Sequence, residues 1–298
     1  MKRVVSISIG SSKRDHKVQV ELLGQQIQIE RIGTDGDLGR AAQLYRQLDG
    51  QVDAFGVGGT DLDLSVAGKK YSFPQIYRMV SGVQQTPIVD GGGLKHTIER
   101  QVMQFVEQKI GDQITPKTCL VTSGADRYGM AQSAVDAGYE TVFGDLMFGL
   151  GLPIPLHTLN TLHWMARVLA PIVTHLPFKW LYPTGERQSQ VIPKWEKYYG
   201  WASVIAGDFH YVRRHMPPDM EGKVIVTNTT TQEDVAFLHS RGIRYLVTTT
   251  PRLEGRSFGT NAMEAALTAL AGKGRPLSED EIQEMIVALD YQPSIERI

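Results

Sequence analysis

Cysteine is almost missing from this 298-residue chain: Cys119 stands alone. That excludes an internal disulfide and any metal cluster held by cysteines only, and it fits a reducing compartment. Neither sign of charge is in surplus. Lysine plus arginine number 31 and aspartate plus glutamate 32, for a formal net charge of -1. A nucleic-acid partner needs a strongly basic face to displace counterions, so none is expected. Long apolar runs are lacking too. Val4–Ile9 is too short for a signal-peptide core. The most apolar stretch, 155–182, is broken by three histidines, Arg167, Lys179 and two internal prolines. No transmembrane segment is therefore expected, and the chain reads as cytoplasmic. The 155–182 stretch reads instead as a buried or dimer-forming helix pair, through which a homodimer could form. What the chain has in excess is glycine, 30 of 298 residues or about 10%, against roughly 7% in ordinary proteins.

Short β-branched runs alternate with helical patterns, as in a mostly parallel sheet covered by helices. The expected fold class is α/β with two domains. Residues 1–115 read as a mixed α/β substrate domain, opening with strand Val4–Ile9, a hairpin turning at Gly24 and a helix capped by Asp37. Polar Gln113–Lys117 marks a boundary. Residues 116–298 read as a Rossmann-like nucleotide-binding domain, with an apolar helical insertion at about 152–200. Thr231 with Asp234, and Asn261 with Glu264, offer capping boxes for two helices. Tyr245–Thr249 is the last clear strand.

The glycines fall at strand ends that precede helices. In an open α/β sheet, ligands sit there, because helix N-termini point free N–H groups outward and a side chain would keep the backbone from a phosphate. The strongest candidate loop is Ser123-Gly124-Ala125-Asp126-Arg127-Tyr128-Gly129, between a strand and a helix. It is G-x-x-x-x-G, not the full G-x-G-x-x-G. Asp145 follows Gly124 at the end of the next strand, where an acidic residue accepts from a ribose 2′-hydroxyl and favours NAD over NADP. Asp208, Asn228 and Thr249 end further strands of the same half. Gly59, Thr60, Asp90, Gly92 and Gly93 form the facing substrate loops. Hydride transfer from an alcohol needs a group to take the hydroxyl proton. Lys95, held by Asp61 or Asp90, and His210 are the candidates. The histidines of the apolar insertion have spacings that do not share a helical face, so no metal site is expected.

The segments SISIGSSKRDHKV, IERIGTDGD, VDAFGVGGTDL, TPIVDGGGLKHTIERQV, FGDLMFGLGLPIPL, IAGDFHYVRR and GRSFGTNAMEAAL resemble a bacterial family named quinate 5-dehydrogenase, over nearly the whole chain. The resemblance implies a Rossmann-like nicotinamide domain and oxidation of a ring hydroxyl in quinate or shikimate. The Asn-Val-Thr-x-Pro-x-Lys and Asn-Thr-Asp motifs that supply the catalytic pair of shikimate dehydrogenases are not found here. The expected function is an NAD(P)-dependent dehydrogenase of a small hydroxylated acid. The alternatives are a non-redox enzyme binding a nucleotide or phosphorylated metabolite, and a non-catalytic ligand-binding regulator.

Overall fold

A computed structural model describes residues 1–177, 190–250, 252–253 and 256–298. The chain begins in the middle of a sheet. Strand β1 (Lys2–Ser8) leads into the hairpin β2 (His16–Leu22) and β3 (Gln25–Gly33), which lays β3 parallel beside β1. Helix α1 (Leu38–Leu48), capped by Asp37 as its sequence predicts, carries the chain over to β4 (Ala54–Gly58) on the other side of β1. A small hairpin follows, β5 (Asp63–Val66) with β6 (Lys69–Ser72). Helix α2 (Pro74–Val80) and β7 (Ile88–Val89) complete a five-stranded sheet in the order β2-β3-β1-β4-β7.

Alternation along β1 sends its side chains to two apolar layers. Val5 and Ile7 pack with Ala41, Tyr45, Ile76 and Met79 of α1 and α2. Val4 faces the opposite side, with Ile27, Ile29 and Ala54, and is covered there by residues from far along the chain.

Helix α3 (Gly92–Ile110) joins the two halves of the molecule. At 1.5 Å per residue its 19 residues span about 28 Å. Its first turns put Leu94 and Ile98 into the core of the first sheet. Its last turns put Val102, Met103, Val106 and Ile110 into the core of the second. Helix α4 (Tyr128–Asp136) crosses α3 so closely that a Cβ on Gly129 would strike the Lys95 carbonyl.

The second sheet starts with β8 (Thr118–Val121), flanked by β9 (Glu140–Phe143). Helix α5 (Leu159–Val173) buries Leu162, Met165, Ala166 and Ala170 and leaves Trp164, Val168 and Ile172 in solvent. Residues 178–182 of the apolar stretch lie outside the described residues. Among the described residues no helix is long and apolar enough to cross a membrane. After α6 (Glu196–Trp201), β10 (Val204–Ala206) pairs with the free side of β8. Then come α7 (Phe209–Arg214), β11 (Val224–Thr227), α8 (Gln232–Ser240) with its expected capping box, and β12 (Tyr245–Thr248). Two short strands, β13 (Arg252–Leu253) and β14 (Arg256–Ser257), form a hairpin.

From there the chain returns to the first sheet. Helices α9 (Thr260–Ala271) and α10 (Glu279–Ala288) supply Ala262, Met263, Ala266, Ile282 and Ile286 to the layer over Val4 and Ile29. Strand β15 (Ser294–Arg297), past the last strand expected, then pairs antiparallel with β12. The expected division at 115/116 thus becomes an interleaved one, in which 260–288 complete the first unit's core. The fold is α/β with two mostly parallel sheets. The parallel part of the second sheet runs β12-β11-β10-β8-β9. In its own numbering that is the single doubly wound order 2-1-3-4-5, not the 3-2-1-4-5-6 order that carries dinucleotides.

Candidate functional site

Each sheet has one place where successive connections leave in opposite directions, and a crevice opens there at the carboxyl ends of the strands. In the first sheet it lies between β1 and β4, at Ser8–Gly10 and Gly58–Asp61. In the second it lies between β8 and β10, at Thr122–Arg127 and Gly207–His210. The two crevices open on one cavity of about 610 Å³. The close approach of β4 to β1 there requires glycine: a Cβ on Gly58 would lie 2.9 Å from that of Ser8, and Gly59 has φ +75°.

A chain of charges crosses the cavity. Lys95 Nζ donates to both oxygens of Asp61 at 2.9 and 2.8 Å and to Asp126 Oδ1 at 3.1 Å. Arg127 donates to Glu99 Oε1 at 2.6 Å and to Asp208 Oδ2 at 2.8 Å. Asn228 Nδ2 donates to the same Asp208 oxygen at 3.1 Å. Burial disfavours the Lys95 ammonium, but the charges of Asp126 and Asp61 outweigh it and hold its pKa above the ordinary value. Burial lifts Asp61 well above the usual carboxylate range against the pull of Lys95. Asp126 is held below that range by Lys95 and Arg127, against the opposing effect of its burial. A permanently charged ammonium between two carboxyls is not a proton acceptor, so Lys95 as a catalytic base is corrected to a cationic clamp.

His210 faces the cavity from α7. Arg14 Nη1 lies 3.0 Å from its Nε2. A guanidinium can only donate, so Nε2 accepts, and the ring is neutral with its proton on Nδ1. Desolvation at the cleft wall lowers its pKa, Arg14 and Arg213 add to that, and Asp208 and Asp234 oppose it.

Two expected anion loops are already filled by the protein. Gly124 N–H donates to Asp145 Oδ2 at 3.0 Å and Ala125 N–H to Oδ1 at 2.7 Å. The Gly124 Cα packs so closely that a Cβ would meet Phe143 and Leu162 at 3.0 and 3.1 Å. Asp145 therefore stands where a pyrophosphate would have to enter, not beside a ribose. Burial raises it to about 6 although the two amides favour its charged form. Replacing Asp145 by alanine orphans both amides and should cost about 1–3 kcal/mol, measurable by urea denaturation. A loss below about 0.5 kcal/mol would show that water satisfies the amides equally well.

The triple glycine behaves in the same way. Leu94 N–H donates to Glu264 Oε2 at 3.2 Å, and the Gly93 amide also supports that carboxyl. Glu264, expected to cap its own helix, thus caps α3, while α9 starts at Thr260 and Asn261 donates to Ser6 Oγ at 2.6 Å. Gly91, at φ +95°, serves contact with α9: its Cβ would lie 2.6 Å from Thr260 Oγ1.

Of the residues singled out from sequence, Gly59, Thr60, Asp61, Asp90, Lys95, Asp126, Arg127, Asp208, His210 and Asn228 line the cavity. Asp90 does so as an organiser, accepting from the amides of Leu62 and Gly92. Ser123, Gly124, Ala125, Tyr128, Asp145, Thr249, Gly92 and Gly93 do not line it. Tyr128 bonds Gln132 and His163, and the Thr249 carbonyl accepts from Tyr291. Sequence reasoning missed Glu99, Arg14 and Arg31. Arg14 sits in the polar loop after the first strand, a position that could have flagged it.

Similar solved structures include a Mycobacterium smegmatis protein in complex with beta-D-fucofuranose, at 10% identity and TM-score 0.37, over 100% of this chain and 99% of that one. They also include a periplasmic ribose ABC transporter protein from Conexibacter woesei, at 11% and 0.37 over 96% and 94%. A third is an NAD-dependent malic enzyme from Thermotoga maritima, at 11% and 0.36 over 97% and 84%. Such distant likenesses carry no functional argument. The filled loop at Asp145 leaves no dinucleotide seat there. The expectation of an NAD(P)-dependent dehydrogenase is corrected accordingly. No curated protein is similar enough to match. Residues 3–90 match the family model described as Domain of unknown function (DUF8753). Residues 93–298, more than half of the chain, match that described as Domain of unknown function (DUF8754), and the chain belongs to that family.

Proposed function

We propose that this chain binds a small, hydroxyl-rich metabolite between its two sheets, without redox chemistry. The observation that carries this reading is the cavity formed by two facing switch points, with polar groups on both of its walls. Ser6, Ser8 and Thr60 present hydroxyls from the first unit, while Asn228, Thr229 and Asp208 present amide, hydroxyl and carboxylate from the second. Such groups match the alternating donors and acceptors of a polyol, and a ligand touching both units would favour their closed arrangement. Lys95 and Arg127, already neutralised by Asp61, Asp126, Glu99 and Asp208, keep the floor rigid.

Thermal unfolding in the presence of ribose, sorbitol, gluconate and ribose 5-phosphate tests the reading. At least one should raise the Tm saturably, since a ligand at 100 times its Kd adds about 2.7 kcal/mol to stability. Small-angle scattering should show no expansion on binding. Absence of any shift from all four compounds at millimolar concentration would sink the proposal.

A further inference from the structure

Four cationic side chains line the mouth of the cavity, and among the described residues Arg31 alone of them is in an ion pair. Lys13 and Arg14 come from the loop after β1, Arg31 from β3 and Arg214 from α7, four residues beyond His210 and so on the same helical face. The Arg31 side chain is 15% exposed. Its guanidinium donates to Ser8 Oγ at 2.9 Å, to the Ser11 carbonyl at 3.0 Å and to Asp15 at 2.8 Å. Burial pulls its pKa down to about 10, and the neighbouring charge of Arg14 adds to that, against Asp15 and Asp35. Among the described residues, the side chains of Lys13 and Arg214 have no ion-pair partner, and that of Arg14 has only the neutral ring of His210. By contrast Arg213, next in sequence, turns away to Asp234 at 3.0 Å. Exposed Glu233 is a carboxylate lining the cavity outside the Lys95–Arg127 chain and without an organising role like that of Asp90.

A guanidinium bonded to a neutral imidazole gives up much of its capacity, because bonds to carboxylate or phosphate are roughly twice as strong and can be bidentate. Resting on the cleft-binding reading above, we propose that this mouth is the subsite for an anionic group of the ligand, a carboxylate or a phosphate. The anion takes Arg14 from His210 and is held between Arg14 and Arg31 of the first unit and Arg214 of the second. Its position beside Ser8 puts the rest of the ligand against the hydroxyl wall. The site therefore selects sugar acids or sugar phosphates over the neutral sugars from which they differ by that group alone.

Isothermal titration of the full chain with two matched pairs, ribose against ribose 5-phosphate and sorbitol against gluconate, tests this. The anionic member of at least one pair should bind about tenfold or more tighter, as expected of one charge-assisted contact. Which pair discriminates tells phosphate from carboxylate. In the Arg14→Gln, Arg214→Gln double variant the ratio within that pair should fall to roughly twofold, with the Tm of the unliganded protein close to that of the parent. Neutral members binding as tightly as anionic ones would overturn the subsite and leave the cleft reading standing. An unchanged ratio in the double variant would also overturn it. Binding by none of the four would remove the cleft reading, and this proposal with it.

Discussion

Replacing Arg127 by methionine should destabilise the protein by roughly 3–5 kcal/mol, the cost typical of stranding a buried charge. The Arg127 side chain is 5% exposed and that of its partner Glu99 is 0%. Glu99 Oε2 already lacks a partner among the described residues, so its other oxygen depends wholly on the guanidinium. The same guanidinium ties α3 to the end of β10 through Asp208. Its loss removes the bond between the helix shared by both cores and the strand end that lines the cavity. For a chain of this size the Tm should drop on the order of 10 °C. The double variant Arg127→Met, Glu99→Gln should recover a good part of that, because a neutral amide is far less costly to bury than an unpaired carboxylate. A single-variant loss below about 1 kcal/mol, or no recovery in the double variant, would show that the interior around Glu99 is wetter than its packing implies.

The second large effect is a dependence on pH. Burial pushes Glu264 up to about 8 from its ordinary 4.5, despite the amides it accepts from. Between those values the folded protein holds a proton that the unfolded chain has released. Stability must then fall as pH rises. The contribution is fully present below about pH 4.5 and is lost as pH passes through about 8. At 1.36 kcal/mol per unit the change is a few kcal/mol in size. Asp145, raised to about 6, contributes in the same direction over a lower window. Glu264→Gln keeps an acceptor for the Leu94 amide but cannot ionise. The gap between denaturation midpoints at pH 5.5 and 8 should therefore shrink in this variant, leaving the smaller part that Asp145 contributes. Parallel pH profiles for the two proteins would rule Glu264 out as the source.

The alternation of strands and helices was readable from residue periodicity, as were the caps at Asp37 and Thr231, because these are local signals. Asp61, Lys95, Asp208 and His210 were readable as cavity-lining residues for a topological reason: strand ends that precede helices open on the crevice of an α/β sheet. The occupant of the glycine loops was not readable. A helix N-terminus satisfied by Asp145 or Glu264 has the same local pattern as one awaiting a phosphate, and Glu264 lies 170 residues from the amide it accepts. Nor could periodicity show that α9 leaves the second sheet to cover the first. Its apolar residues fit either surface, and the choice is made by tight contacts such as that between Gly91 and Thr260.

That return of α9 and α10 bears on how the chain can be inherited. The two family segments meet between residues 90 and 93, yet the apolar face formed by Val4, Ile27 and Ile29 is closed only by residues from the far segment. A recombination that moved residues 3–90 alone to a new context would carry half of a core and leave its lid behind. The first segment's core is therefore complete only when both segments are present in one chain.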